Sequence, residues 1–247
     1  MKKRRSYSDD WNVLDFYAIY PQIEGWLDWN AVVLLNYLND IQTEENIRGD
    51  IFEIGAYKGK LTLLLATFLR KESELLFVND IFDNQELNIS RSGIDANLND
   101  FMKNMKLLFE DTDFLRLFIK KSSDLTTEET TTNIRMFSID GGHSEQETYD
   151  DMVLASKAII EKGLIIIDDY YNTDWPEVEK GVAKYLSVYS DLAPLIYFFN
   201  KFIFIKTTAC DYYREALEKY GLHQFCKEKN FTMATQTIYN SQFFYLS

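Results

Sequence analysis

Cysteine is nearly absent: the 247 residues hold two, Cys210 and Cys226. Two thiols late in the chain give neither a disulfide framework nor a zinc site of usual spacing, and a reducing, cytoplasmic setting is expected. Proline is almost as scarce, with Pro21, Pro176 and Pro194 alone, so no proline-rich hinge announces a second domain. Positive charge is in deficit. Lys and Arg number 26 against 39 Asp and Glu, a formal net charge of −13. Such a chain repels phosphate backbones, and no nucleic-acid partner is expected. The one basic run, Lys2–Arg5, is followed by polar Ser6–Asp10 instead of the apolar stretch a signal peptide needs, and reads as a solvated tail. No segment approaches the ~18 consecutive apolar residues of a membrane span, which excludes a membrane partner. Histidine is limited to His143 and His223. Internal repeats and low-complexity linkers are missing, and homo-oligomerisation is left open.

What is present is apolar material, 46% of the chain, enough for a large core. Residues 1–48 look helical and aromatic-rich, with Val32, Val33, Leu34, Leu35, Tyr37 and Leu38 forming a dense apolar helix. They are expected to form a helical cap on a domain spanning 49–247. From Asp50 the pattern alternates between short apolar runs and amphipathic stretches. Strands are expected at Ile51–Ile54, Leu75–Val78, Phe114–Ile119, Ile134–Ile139 and Leu164–Ile167. Helices are expected at Lys60–Lys71 and Phe101–Phe109, with a polar helix or loop over Ser122–Thr132. Another helix starts at Ser144, where Ser144-Glu145-Gln146-Glu147 has capping-box spacing, and is expected to leave through a left-handed Gly163. Pro176 suits the first turn of a helix reaching about Val188. Leu195–Phe199 and Phe202–Ile205 are separated only by Asn200-Lys201, which forces an antiparallel hairpin. A terminal segment, Tyr212–Cys226, again looks helical. The expected fold is therefore α/β: a doubly wound, mostly parallel seven-stranded sheet with a terminal antiparallel hairpin and an N-terminal helical cap.

Ligands of open α/β sheets bind beyond the carboxyl ends of the strands, and the polar residues fall there. Glu53-x-Gly55-x-x-x-Gly59 follows the first strand, with glycines that let backbone amides approach a ligand. It lacks the Gly-x-Gly-x-x-Gly of a pyrophosphate cradle. Asp80 lies 25 residues beyond Gly55, near the offset at which an acid meets ribose hydroxyls. Asp140 ends the fourth strand, and Asp168-Asp169 end the fifth. Three clustered carboxylates must protonate, disperse into water or hold a cation. Oxygen ligands suit Mg²⁺, Mn²⁺ or Ca²⁺ over zinc. His143, at the crevice mouth, reads as a general base, since an imidazole titrates near neutrality. His223 reads as structural.

These residues carry a resemblance. Ile51-Phe52-Glu53-Ile54-Gly55-Ala56-Tyr57-Lys58-Gly59-Lys60 resembles motif I of class I S-adenosylmethionine-dependent methyltransferases. Phe137-Ser138-Ile139-Asp140-Gly141-Gly142-His143, with Gly163–Tyr170, is similar to the branch containing macrocin-type sugar O-methyltransferases and cephalosporin-hydroxylase-like proteins. The resemblance covers about residues 24–206 and implies a Rossmann-like methyltransferase fold. It also implies that Glu53, Gly55 and Gly59 line the methionine and ribose part of S-adenosylmethionine. Asp80 would hold the ribose, Ser122 would sit near the adenine, and Asp140 would lie beside the cofactor. Asp140, Asp168 and Asp169 would bind a divalent cation, most naturally Mg²⁺, and His143 would be the base. Some relatives carry Glu-Asp where this chain has Asp168-Asp169. The acceptor would be a small molecule or sugar-like hydroxyl, with the polar segment Phe82–Asn99 as acceptor loop or lid. A nicotinamide-dependent oxidoreductase and a non-catalytic nucleotide-binding protein are the competing readings. The absent Gly-x-Gly-x-x-Gly and the terminal hairpin weigh against the first of these. The retained Asp140, His143, Asp168 and Asp169 weigh against the second.

Overall fold

Alternating short apolar strands and amphipathic helices can bury both faces of a sheet only by winding back and forth across it. A computed structural model, which describes residues 13–70, 74–126 and 129–247, shows that arrangement. The Lys2–Arg5 run lies outside the described residues. Two helices, α1 (Val13–Ile19) and α2 (Trp29–Glu44), precede β1 (Asp50–Ile54). Then come α3 (Lys60–Phe68), β2 (Leu76–Asp80), α4 (Leu98–Met105), β3 (Leu115–Ile119) and β4 (Ile134–Ile139). The chain continues through α5 (Glu145–Ala158), β5 (Ile159–Ile167), α6 (Pro176–Val188), β6 (Leu192–Phe198) and β7 (Lys201–Lys206). It closes with α7 (Cys210–Lys219), α8 (Leu222–Lys229), β8 (Met233–Ile238) and β9 (Ser241–Leu246).

The strands form one sheet in the order β3-β2-β1-β4-β5-β7-β6-β9-β8. β1 to β5 run parallel to one another, and β7 is antiparallel to both β5 and β6. The sheet has nine strands, not the expected seven. The chain does not stop at the β6–β7 hairpin. It adds a second hairpin, β8–β9, and docks β9 parallel to β6. The link Tyr239-Asn240 has φ of 50° and 60°, the paired positive angles of a tight hairpin turn. Phe243 and Leu246 bury themselves against the sheet, at 3% and 1% exposure.

Gly163 is not a helix exit. α5 ends at Ala158, and Ile159 already has extended angles (φ −71°, ψ 140°). Consecutive β-branched residues favour strand there. Gly163 lies inside β5, where a Cβ would come 2.9 Å from the Ile134 carbonyl oxygen. Ser144 does form the full capping box with Glu147. Ser122–Asp124 is one short 3-10 turn, and the terminal helical segment is broken in two at Gly221 (φ 70°).

The described part of the N-terminal region is continuous with the core. Phe16, Ile23, Leu27 and the inner face of α2 pack with α3 on one face of the sheet. Arg135 of β4, fully buried, anchors the same layer. It donates to Gln42 Oε1 (2.8 Å), Asn39 Oδ1 (3.2 Å), the Phe68 carbonyl (2.8 Å) and Glu74 Oε2 (3.1 Å). Among the described residues no helix is long and apolar enough to cross a membrane.

Candidate active site

The strand order reverses between β1 and β4, and that switch point opens a crevice above their carboxyl ends. Gly55, the first residue beyond β1, stands so close to β4 that a Cβ would lie 1.8 Å from the Asp140 carbonyl oxygen; its φ of 82° also favours glycine. Gly59 (φ 83°) starts α3 against the Phe101 ring, 3.0 Å from where its Cβ would be. The loop between them is held by Asp80 at the end of β2. Its Oδ2 accepts from the amides of Ala56 (2.7 Å) and Tyr57 (2.8 Å), and its Oδ1 accepts from Phe82 N (2.6 Å). Burial raises the Asp80 carboxyl above its ordinary pKa, against the opposing pull of those amides. Tyr57 and Phe82 take positive φ (51° and 43°), uncommon for aromatic residues and sustained here by the same carboxylate.

The crevice is a cavity of about 840 Å³. Gly55, Asp80, Ser122, Asp140, His143, Asp168 and Asp169 all line it, as the sequence leads one to expect. Glu53 and Gly59 are not among its lining residues. Glu53 is 0% exposed, because β1 is covered on both faces. Its Oε2 accepts from Thr62 Oγ1 at 2.6 Å, while Oε1 has no hydrogen-bond partner among the described residues. Burial pushes its pKa up to about 8.

The floor is acidic and internally compensated. Asp168 is 5% exposed. Its Oδ1 accepts from the Asp169 amide (2.9 Å), and its Oδ2 forms a salt bridge with Lys201, which is 1% exposed. The antiparallel β5–β7 register, Ile167 opposite Phe202, brings that lysine alongside. Burial opposes the Lys201 charge, but Asp168 and then Asp140 outweigh it and raise the lysine's pKa. Asp140 is raised well above the ordinary carboxyl value by burial and then by Asp168. Asp169 (φ 57°) turns the other way, towards His143, with Oδ2 3.1 Å from Nε2. Asn172 and Asn200 donate to its Oδ1 at 2.8 and 3.4 Å. Burial works against the Asp169 charge, yet these bonds outweigh it and hold the pKa low. His143 stacks on Trp175 with centroids 4.4 Å apart, and its Nδ1 lies 3.5 Å from Ser90 Oγ. One ligand atom each from Asp140, His143 and Asp169 lies within 4.8 Å of the others.

Four contributors escaped the sequence reading: Trp26, Trp175, Lys201 and Asn200. The first two stand in loops with no motif around them. Lys201 shows in the sequence as the lone charge between two apolar runs, a position that reads as a turn.

Open α/β sheet, switch-point crevice and terminal hairpins together define the class I methyltransferase fold. Residues 52–170, just under half of the chain, match the family model described as a methyltransferase domain. No curated protein matches it. Among solved structures it is similar to the O-methyltransferase NovP, with a TM-score of 0.60 at 18% identity over 72% of this chain and 80% of that one. The SAH-bound Podospora anserina methyltransferase PaMTH1 gives 0.54 at 12% identity, over 78% and 86%. CalS11, a TDP-rhamnose 3'-O-methyltransferase, gives 0.51 at 12% identity, over 79% and 92%. At these identities the likeness is one of fold.

Proposed function

We propose that the chain transfers the methyl group of S-adenosylmethionine to a hydroxyl of a small-molecule or sugar-like acceptor, assisted by a divalent cation such as Mg²⁺. One observation carries this reading: a single cavity gathers Gly55, Asp80, Ser122 and Asp140 beside the His143–Asp169 pair. The cofactor fits that wall. Gly55 lets the β1 and β4 strand ends meet at the cavity wall with no side chain between them. The Asp80 oxygens, though bonded to amides, keep lone pairs for ribose hydroxyls. Ser122 flanks the adenine end, and Glu53 and Gly59 shape the loop from behind. The acids at the floor, oxygen donors around a common point, suit a hard cation. Asp140 and Asp169 would hold it, with Asp168 sharing its charge with Lys201.

When bound, the cofactor supplies a methyl group on a sulfonium, and the cation lowers the cost of charge on the acceptor oxygen. The protein supplies orientation. Asp169 fixes His143 through Nε2, which in the Nε2–H tautomer leaves Nδ1, facing Ser90, to accept the acceptor's proton. With the cofactor bound, methyl transfer to the hydroxyl would leave S-adenosylhomocysteine, and the hydroxyl proton would pass to that nitrogen of His143. Trp175 keeps the imidazole flat against one wall.

Calorimetry tests the cofactor. S-adenosylhomocysteine should bind in the micromolar range, about −8 kcal/mol, and Asp80→Ala should weaken it. Binding of NAD(H) without binding of S-adenosylhomocysteine would instead favour the oxidoreductase. Mn²⁺ or Mg²⁺ should raise the melting temperature, and Asp169→Ala should remove the increment.

A further inference from the structure

Trp26 is 72% exposed and yet lines the cavity. Lone exposed apolar side chains are ordinary; an indole at the mouth of a binding cavity, on a fixed backbone, is not. Glu24 accepts from Lys58 Nζ (2.8 Å) and from the Tyr57 hydroxyl (3.1 Å). Lys60 Nζ donates to the Gly25 carbonyl (3.2 Å). Gly25, at φ 147°, packs against Lys60 so closely that a Cβ would lie 3.2 Å from the lysine's own. One side of the indole meets Tyr57, with centroids 4.9 Å apart and planes tilted by 36°. The 82–97 segment is tied to the same residues. Asp95 accepts from Lys58 (2.5 Å) and Tyr57 (2.9 Å), and Gly93 abuts the Tyr57 ring. That segment brings Ile89, 70% exposed, to the cavity wall. Tyr57 and Lys58, inside the proposed cofactor loop, thus hold two apolar projections over the acceptor side.

The cavity's charge narrows what can lie there. Its lining carries seven Asp and Glu against three basic side chains, Arg91, Lys120 and Lys121. Lys120 is already bonded to Glu129 at 2.6 Å. The field therefore opposes a ligand bearing several negative charges.

We infer that the acceptor is an uncharged or cationic molecule that lays a flat apolar face, an aromatic ring or the C–H face of a pyranose, on Trp26. A nucleoside-diphosphate sugar, with two further negative charges, matches this lining poorly. This rests on the methyl-transfer reading above. A rigidly placed indole provides contact area at low entropic cost, which makes Trp26 specificity-determining.

The test uses the intact chain with three probe classes: catechol, methyl rhamnoside and TDP-rhamnose. Methyl transfer from labelled S-adenosylmethionine and binding by saturation-transfer NMR are read for wild type, Trp26→Ala and Trp26→Phe. The expected result is binding and methylation of catechol or the methyl glycoside, and which of the two identifies the source of the flat face. Trp26→Ala should weaken binding about tenfold or more, Trp26→Phe should largely restore it, and S-adenosylhomocysteine affinity should be the same in all three proteins. Preference for TDP-rhamnose, no binding of either neutral probe, or a Trp26→Ala protein indistinguishable from wild type would each overturn the inference. Absence of S-adenosylhomocysteine binding would strike the methyl-transfer reading itself.

Discussion

Gly55 leaves no room for even one methyl group. With a Cβ 1.8 Å from the Asp140 carbonyl oxygen, Gly55→Ala must separate β1 from β4. The variant should melt at lower temperature and lose cofactor binding, as scanning fluorimetry and calorimetry would show. His143→Ala should leave cofactor affinity nearly intact and lower turnover ~10²–10⁴-fold, the usual loss for a general base; turnover at the wild-type level would reduce His143 to holding the loop. Glu53 gives a pH signature. Its pKa of about 8 in the fold exceeds its ordinary 4.5, so between those values the folded chain keeps a proton that the unfolded chain has released. Stability from this group is present at low pH and lost as pH rises towards 8. Asp151, pushed up to about 7 by burial, acts in the same sense. Urea melts at pH 5 and pH 8 should show wild type losing stability, and Glu53→Gln losing less. Asp80, Asp140 and His143 were legible in the sequence because a strand end is a local signal. Lys201 was not, because its partner Asp168 is 33 residues away and only the sheet register joins them.

At the scale of elements, the parallel strands and their helices could be read closely, since each announces itself by a short apolar run. Ile134–Ile139 and the helix from Pro176 to Val188 are found as expected. Boundaries failed where tertiary pairing decides them. β5 starts at Ile159 because it pairs with Ile134, which no single-strand pattern contains. The β8–β9 hairpin was missed because β8 is polar along most of its length and mainly exposed. Its signal, a two-residue link flanked by β-branched and aromatic residues, is short-range and weak without the sheet edge it extends. Phe243→Ala should cost ~3–5 kcal/mol, the range for a buried aromatic. Ser144→Ala should cost ~1 kcal/mol through loss of the capping box. Denaturant midpoints distinguish the two. Equal, negligible effects would mean that the second hairpin adds no stability.

Across the whole molecule, two buried cations, Arg135 and Lys201, tie distant segments together. Arg135 binds α2, the end of α3 and Glu74 into the layer behind the sheet. Arg135→Met removes the nearer of Glu74's two guanidinium partners, leaving Arg70 at 3.7 Å, and should destabilise by ~3–5 kcal/mol in equilibrium unfolding. On the crevice side, Lys201 and Asn200 complete a floor whose acids end β4 and β5. The family match ends at residue 170, before either of them. This has a consequence for biosynthesis. A nascent chain that ends at α6 carries the acids at the ends of β4 and β5 but not the lysine that pairs with Asp168, so the floor cannot be balanced until residue 201 leaves the ribosome. Ligand binding should therefore switch on abruptly late in translation, and chains stalled shortly before and shortly after the β6–β7 turn should differ sharply in their ability to retain S-adenosylhomocysteine.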